Sequence, residues 1–576
     1  MTSKDYIDEM GEEYMDLRAE AIKAIQKHVA MKKKEIDNLL EVPPDSKLGD
    51  LAFPCFALSK IYKKAPGAIA FDLREKIVVP KSFSKVEIAG PYLNFFYNKT
   101  YLSEIVLKQA LKKDFGNGKK TNKTIVVESP APNTNKPLHL GHVRNMALGQ
   151  AVANVLAMQG NNVKIVDLYN DRGVHICKSM LAYKNWGKNK KPIDKSDHFV
   201  GDYYVMFSKK AKDKPDLEKE AKKMLADWES GDKNILALWK KMNKWAISGF
   251  EETYKIFGHK PVKVYRESEI YKKGKSVILD GLKKGVFYKD KTGAVAINLG
   301  KKLGEKILLR SDGTSVYITQ DLALTTERYN DFKMDKAIWI VGNEQIYHFE
   351  VLFKLFKLLK FPFAEGCYHL AYGMVNLPDG KMKSREGTVV DADDLINDMV
   401  SLAKKEINKR HKLPKKQVDK IAYKIGIGAI KYFMLKYAAK KDFIFDPKQS
   451  VSFDGETGPY LQYALVRASK IMKKSKQQIS GNIGYDLLSS KEEQELIKQI
   501  SKFPEVVEQS AESYSPHFVA TFAYELAQKF STFYSKHRVI GADPKQEKAR
   551  LLLVNVFYET LKKSLNLLGI NEVEVM

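Results

Sequence analysis

Glu128-Ser129-Pro130-Ala131-Pro132-Asn133-Thr134-Asn135-Lys136-Pro137-Leu138-His139-Leu140-Gly141-His142 is the stretch of this 576-residue chain that decides its fold. Before it, Thr124-Ile125-Val126-Val127 is apolar and β-branched, which predicts a short buried strand. After it, Val143, Ala147, Ala151, Val155 and Leu156 recur at helical spacing, and Gly160 is placed to end that helix. A second β-rich run, Val163-Lys164-Ile165-Val166-Asp167-Leu168-Tyr169, follows. Strand, loop, helix and strand in that order predict the unit from which parallel sheets are built. The loop is no glycine-rich fingerprint. Prolines stiffen it, and it carries a lysine and two histidines to a helix entrance, where backbone N–H groups and the helix dipole favour an anion.

His139 and His142 are three apart, so on a helix they share a face. Gly141 removes a side chain between them and leaves room for a flat group such as a purine. Imidazoles at this place can donate hydrogen bonds to phosphate oxygens as charge builds during displacement. Two other readings exist for such a pair: partly buried core histidines, and zinc ligands. Structural zinc takes four ligands, usually including cysteine. Here only His175 lies near and Cys177 stands alone, so no zinc is expected. The strand before, the helix after and the proline–lysine approach favour nucleotide chemistry.

Pro137-Leu138-His139-Leu140-Gly141-His142 resembles the HIGH motif of class I aminoacyl-tRNA synthetases, and the longer stretch from Ser129 resembles its arginyl-tRNA synthetase version. The likeness continues through Tyr169-Asn170-Asp171-Arg172-Gly173, Glu267-Ser268, the run from Ser311 to Asp321, Lys381-Met382-Lys383-Ser384-Arg385-Glu386-Gly387-Thr388-Val389-Val390 and Gly458-Pro459-Tyr460-Leu461-Gln462-Tyr463-Ala464. These ordered blocks spread over most of the chain. The resemblance implies an arginine–tRNA ligase that makes arginyl-adenylate from L-arginine and ATP, accompanied by Mg²⁺, and then acylates the terminal ribose of its tRNA.

Composition fits such partners. The chain has 97 basic and 70 acidic residues, a formal charge of +27, which suits a polyanion. Its 44% apolar content supports real cores, and its length suggests about three or four domains. Cys55, Cys177 and Cys367 are scattered and form no CxxC pair, as in a reducing cytoplasm. The acidic start has no apolar signal core, and no run approaches the roughly 20 apolar residues of a membrane span. A cytoplasmic protein without a membrane partner is therefore expected, and the resemblance adds a monomer.

The expected fold is multidomain α/β. Residues 1–115 read as an N-terminal α+β domain, with a strand-like run from Val86 to Tyr97. Residues 116–400 read as a Rossmann-type catalytic core with a doubly wound parallel sheet, interrupted by a lysine- and tryptophan-rich helical insert at about 185–255. Its second half shows strand-like runs at Lys306–Arg310, Ala337–Gly342 and Tyr368–Tyr372. Residues 401–576 read as all helix. Leu461, Ala464, Leu465, Ala468, Ile471 and Met472 make one apolar stripe there, and the last helix has Asp543 as cap, Pro544 at its first position and Gly569 beyond its end. By resemblance the first domain leans on the tRNA elbow, with Asn94 and Phe96 as base contacts, and the last is the anticodon-binding domain. The insert is too short for an editing domain. A site that hydrogen-bonds a planar polar side chain rejects analogues without one.

A guanidinium needs carboxylates in a plane, because its fork of donors pairs bidentately. Tyr317 and Asp321 are four apart where a strand, Val316-Tyr317-Ile318, is expected to hand over to a helix. The resemblance gives Tyr317, Asp321 and Glu267 to the arginine side chain, and Asn133 and Gln345 to the amino acid's own polar groups. Taken alone, Asp321 also suits a helix cap.

For ATP, the resemblance names His139, Gly141 and His142, with Lys381, Met382, Ser384 and Arg385 of the second signature. That signature departs from KMSKS: its fourth position is Ser384, and Lys383 comes one residue early. Either Lys136, just before the histidines, or Lys383 then replaces the missing lysine. We expect Lys136 to carry the load with Lys383 or Arg385 assisting. The family also implies that arginine activation needs bound tRNA. Two rivals are a nucleotidyl-transfer enzyme acting on a small substrate and a non-catalytic tRNA-binding paralogue. The length and basic helical end speak against the first, and the retained histidines, Lys136 and acidic residues against the second.

Overall fold

The computed structural model describes residues 17–378, 390–410, 412–479 and 483–576. The chain packs as two compact units. One comprises the chain up to Phe115 with Arg467–Phe503 and Glu525–Leu561; the other comprises Gly116–Val466, Pro504–Tyr524 and Lys562–Met576.

The first unit begins with helices α1 (Leu17–Gln26) and α2 (Lys33–Leu39), strand β1 (Leu51–Pro54), helices α3 (Phe56–Tyr62) and α4 (Pro66–Lys76), and strands β2 (Phe83–Ala89) and β3 (Tyr92–Tyr97). The strands form an antiparallel sheet in the order β1-β3-β2. The expected single run from Val86 to Tyr97 is thus a hairpin. It turns at Gly90, whose φ of 59° is open to glycine and costly for most other residues. Phe53 and Phe95 are fully buried beneath the helices. Helix α5 (Lys99–Ala110) follows, capped by Asn98, whose side chain accepts the Tyr101 N–H.

The second unit is built on a five-stranded parallel sheet. Strand β4 (Thr124–Glu128), helix α6 (Leu140–Met158) and strand β5 (Asn162–Tyr169) realise the strand–loop–helix–strand unit, and Gly160 lies just past the helix with φ 78°. Helices α7 (Val174–Trp186), α8 (Ser196–Asp213), α9 (Asp216–Ser230) and α10 (Lys233–Phe257) form the insert. Strand β6 (Lys263–Arg266) then returns to the sheet, followed by α11 (Glu267–Ile270) and α12 (Gly274–Lys283). After strands β7 (Tyr288–Lys289), β8 (Val295–Asn298) and β9 (Glu305–Leu309) come α13 (Tyr317–Phe332), β10 (Lys336–Gly342), α14 (Ile346–Leu358) and β11 (Cys367–Tyr372). The sheet order is β11-β10-β4-β5-β6. The chain moves outward from β4 to one edge and then restarts on its other side. Strands β4 and β10 therefore flank the switch point where open α/β sheets bind ligands.

Two expectations are corrected here. The run Lys306–Arg310 does not join the parallel sheet. Its strand β9 pairs antiparallel with β8, and β8 with β7, in a separate three-stranded sheet. Gly293 and Gly300, at φ 88° and 89°, give the tight turns such neighbours need, whereas parallel neighbours need long crossovers. Val316-Tyr317-Ile318 is not a strand either. Val316 is an extended cap residue and the helix starts at Tyr317.

Helix α13 is tied to the central strand by a buried ion pair, Arg328 to Glu128. The remaining elements are the short strand β12 (Val375–Asn376), helices α15 (Ala392–Arg410) and α16 (Lys415–Leu435), strand β13 (Phe443–Ile444), and helices α17 (Pro447–Ser450), α18 (Gly458–Lys474), α19 (Lys491–Ser501), α20 (Phe503–Glu512), α21 (His517–Lys536) and α22 (Pro544–Leu567). Among the described residues past 400, β13 is the only strand, and it pairs with β12. In α18 the stripe Leu461, Ala464, Leu465, Ala468 and Ile471 is buried, with Met472 partly so. Asp543 accepts the Lys545 N–H ahead of Pro544, and Gly569 stands past the end of α22 with φ 67°.

Candidate active site

The loop leaving β4 is fastened to the end of β5. Ser129 N–H donates to Val166 O at 3.0 Å, Thr134 N–H to Asn170 O at 3.2 Å, and Asn170 N–H to Pro132 O at 3.0 Å. Asp167, wholly buried, accepts the Ala131 N–H at 2.9 Å and the Tyr254 hydroxyl at 2.6 Å. Burial pushes its pKa up to about 7. Asn133 is half-buried, and its backbone bridges to Asn170.

The fastened loop ends in the two histidines. His139 is the N-cap of α6, not a residue of its first turn; its Nδ1 accepts the Gly141 N–H at 3.1 Å. His142 Nδ1 in turn accepts the His139 N–H at 3.1 Å, and the rings lie 3.9 Å apart between centroids. Burial, and then Lys136, lowers the His139 pKa to about 4. Burial, His139 and Lys136 hold His142 well below its ordinary value. Both rings are therefore neutral at pH 7. With each Nδ1 accepting, the proton sits on Nε2, so each ring presents an N–H donor. A Cβ on Gly141 would come within 3.0 Å of His139 Cε1, so the space left by this glycine is first filled by the histidine's own ring.

Lys136 is half-buried, and its charge also lowers the pKa of His175, below burial in weight. Among the described residues its ammonium has no hydrogen bond or ion pair. The residues Lys381, Met382, Lys383, Ser384 and Arg385 lie outside the described residues. From Val390 the chain lies against the histidine motif itself. Leu140 N–H donates to Val390 O at 2.9 Å and Ala392 N–H to Leu138 O at 3.0 Å, making an antiparallel bridge between His139 and Asp391.

That strip is gripped by the insert. Lys195 donates to Asp393 at 2.7 Å and to the buried Asp197 at 3.0 Å, and His198 Nε2 meets Asp393 at 2.8 Å. Asp197, His198 and Asp393 are close enough to share a metal ion, but the Lys195 ammonium already supplies positive charge to both carboxylates. Neither His139 nor His142 belongs to a metal-binding group among the described residues. Arg144, one turn further along α6 and wholly buried, donates to the carbonyls of Gly373, Ala439 and Lys441 at 2.5, 2.7 and 3.0 Å. It fastens the backbone that leads into β12 and β13.

The acidic side lies beyond β5 and β6. Glu267 opens α11, and its neighbour Ser268 donates from N–H and hydroxyl to the buried Asp171 at 2.9 and 2.8 Å. Burial raises the Glu267 pKa to about 7, and the charges of Asp171 and Asp321 push the same way, against Arg172. Arg172 lies 4.0 Å over the Tyr271 ring, pairs with Glu229 and stands 3.9 Å from Glu267.

Asp321 sits in the second turn of α13 and is no cap. The cap position is Val316, and the Asp321 carboxylate meets His348 Nε2 at 2.7 Å. Tyr317 opens the same helix, 79% exposed. Gln345 is exposed in the single turn before α14. Asp171, Arg172 and His348 received no role from the sequence. The first two stand in the quoted block after β5, and His348 follows Gln345 by one helical turn.

In the first unit, Asn94 is only 4% exposed on β3, an enclosed position unsuited to direct base contact. Phe96 is partly exposed, with the Lys85 ammonium 4.4 Å over its ring.

Family models match almost end to end: the arginyl-tRNA synthetase N-terminal domain over residues 15–97, the catalytic domain of class I tRNA synthetases (R) over 103–447, and the DALR anticodon-binding domain over 461–576. The chain is 46% identical to an arginine–tRNA ligase of Treponema denticola over 559 residues, covering 93% of this chain and 94% of that one. It is 41% identical to the arginine–tRNA ligase of Borrelia hermsii, covering 96% and 97%. The solved structure of Thermus thermophilus arginyl-tRNA synthetase superposes with a TM-score of 0.81 at 26% identity, over 97% of this chain and all of the other.

Proposed function

The chain belongs to the arginyl-tRNA synthetases, and from that premise we propose how its residues divide the work of an arginine–tRNA ligase. As a class I enzyme it uses ATP. The arginine carboxylate attacks the α-phosphorus, pyrophosphate leaves, and the adenylate then acylates the terminal ribose of the tRNA. No side chain need form a covalent bond, so catalysis is positioning plus stabilisation of developing charge.

His139 and His142 donate from Nε2 to phosphate oxygens. They do so as neutral donors, already oriented by the α6 backbone. Lys136 brings the positive charge to the triphosphate, in place of the lysine missing from the fourth position of the second signature. Its ammonium, without a hydrogen bond or ion pair among the described residues and charged beside two donor histidines, is the observation that carries this reading. Lys383 and Arg385 assist, and Lys381, Met382 and Ser384 complete the ATP contacts. ATP enters as its Mg²⁺ complex with the metal held by the phosphates, since the loop offers donors and no free carboxylate. We assign no zinc.

Glu267 and Asp321 take the guanidinium, with Tyr317 closing on it from the head of α13. Asn133 and Gln345 hold the amino acid's polar groups. Phe96, more than the enclosed Asn94, is suited to stack on a base. Residues 1–115 serve the tRNA elbow, 116–400 the chemistry and 401–576 the anticodon, in a cytoplasmic monomer. Charging of arginine-accepting tRNA by the purified protein tests the activity, with pyrophosphate exchange run with and without tRNA. Exchange of equal rate without tRNA would refute the expected tRNA dependence of activation.

A further inference from the structure

Asp321 and Gln345 stand near the heads of two different helices, and one side chain joins those heads. His348, in the first turn of α14, donates from Nε2 to Asp321 Oδ2 at 2.7 Å. Both side chains are about one-third exposed, 29% and 34%. A carboxylate at such exposure would otherwise sample several rotamers. The imidazole is itself braced. Its ring meets Phe349 edge-on at 5.7 Å, Phe349 stacks on His369 at 4.2 Å, and His369 Nε2 bonds to Val341 O at 3.1 Å. The orientation of Asp321 is thus referred back to β10 and β11. The bond needs a proton on His348 Nε2, which the imidazolium and the matching neutral tautomer both carry.

We propose that His348 is a positioning residue for arginine selection. By holding Oδ2 it fixes the plane of the Asp321 carboxylate and leaves Oδ1 to the substrate. A fixed plane matters to a guanidinium, whose donors form a rigid fork, far more than to a point-charge ammonium. The proposal rests on the reading of Asp321 as a guanidinium ligand.

The test is steady-state aminoacylation by the full chain, with arginine KM, ATP KM and kcat measured for Asp321→Asn, His348→Ala, His348→Gln, His348→Asn and the double variant. Asp321→Asn should raise arginine KM about hundredfold. His348→Ala should raise it about tenfold, the worth of a hydrogen bond to a charged group, with kcat and ATP KM within about twofold of wild type. Glutamine, whose amide N–H reaches the place of Nε2, should restore KM to within about threefold, whereas the shorter asparagine should not. In the Asp321→Asn background, His348→Ala should add nothing. An unchanged KM in His348→Ala overturns the proposal. So does a full tenfold loss in the double variant, or glutamine as poor as asparagine. If His348→Ala does not fold, the glutamine–asparagine pair decides alone. A wild-type arginine KM in Asp321→Asn sinks instead the reading of Asp321, whatever His348 does.

Discussion

The two sides of the site hold charge in opposite ways. At the head of α6, two neutral imidazoles are locked by backbone N–H groups and present Nε2 donors where we propose the phosphates bind. Near the heads of α11 and α13 stand the carboxylates we propose for the guanidinium, and burial with mutual repulsion makes one of them reluctant to be charged. The phosphate side is finished in geometry and silent in titration. The proposed guanidinium side would be completed electrically only when its ligand arrives. A transferring phosphoryl group gains from donors that need no reorganisation, whereas a substrate selected by charge gains from a pocket that is costly without it.

The comparison would break first at Lys136, whose positive charge reaches both histidines. Lys136→Ala should lower adenylate formation about a thousandfold in pyrophosphate exchange with tRNA present, the upper range for one preorganised electrostatic group. Lys383→Ala should be mild. A crippling Lys383→Ala beside a mild Lys136→Ala would move the charge to the second signature.

Glu267→Gln strikes the other side. On the proposed assignment it would leave the guanidinium one carboxylate short and should raise arginine KM about a hundredfold, with ATP KM unchanged. Equal losses for both substrates would show that Glu267 holds the fold of α11 rather than the ligand.

Titration should separate the sides without any substitution. Glu267, with its pKa raised to about 7, is protonated below that pH, and a guanidinium binds its charged form. Arginine KM should therefore rise as pH falls below 7, towards about tenfold per unit, and level off above it. His139 at about 4 and His142 well below its ordinary value stay neutral throughout, so the histidines contribute no change in ATP KM between pH 6 and 8. The terminal phosphate of ATP itself takes up a proton at about pH 6 to 7, so only a rise in ATP KM beyond the nucleotide's own titration would mean that an imidazole titrates, and the contrast would then fail.

What could be read from the sequence follows the same division. Strand β4, the helix entrance at the histidines, the glycine at 141 and the stop at Gly160 lie within one contiguous segment, so periodicity and helix-end rules reach them, although His139 itself is the cap and not, as expected, on the helix face. The guanidinium side is gathered from four connections, and local signals say little about partners. The run at Lys306–Arg310 was legible as a strand but not as an antiparallel one, because a β-rich pattern does not name its neighbours. Strand β6 gave almost no signal: four residues, two of them basic. His348 was invisible beside Asp321, since their meeting depends on where α13 and α14 begin. Nor could the raised pKa of Glu267 be read, because it comes first from burial, which only the fold creates, and then from Asp171 and Asp321 on other elements.

The smallest expected effect tests whether the phosphate side is as geometric as this contrast requires. Gly141→Ala changes no charge and removes no donor. Its Cβ would lie 3.0 Å from His139 Cε1 and 3.1 Å from Nδ1, so the ring must move by a few tenths of an ångström, straining the bond from the Gly141 N–H. The α6 backbone gives little, because Arg144 and the Val390–Ala392 strip fasten its first turns. A misplacement of about 1 Å can cost a hundredfold, so this smaller shift should lower kcat about fivefold, with arginine KM unmoved. If kcat holds and ATP KM rises instead, the glycine serves the purine and not the histidine, and the ring position is not what limits the reaction.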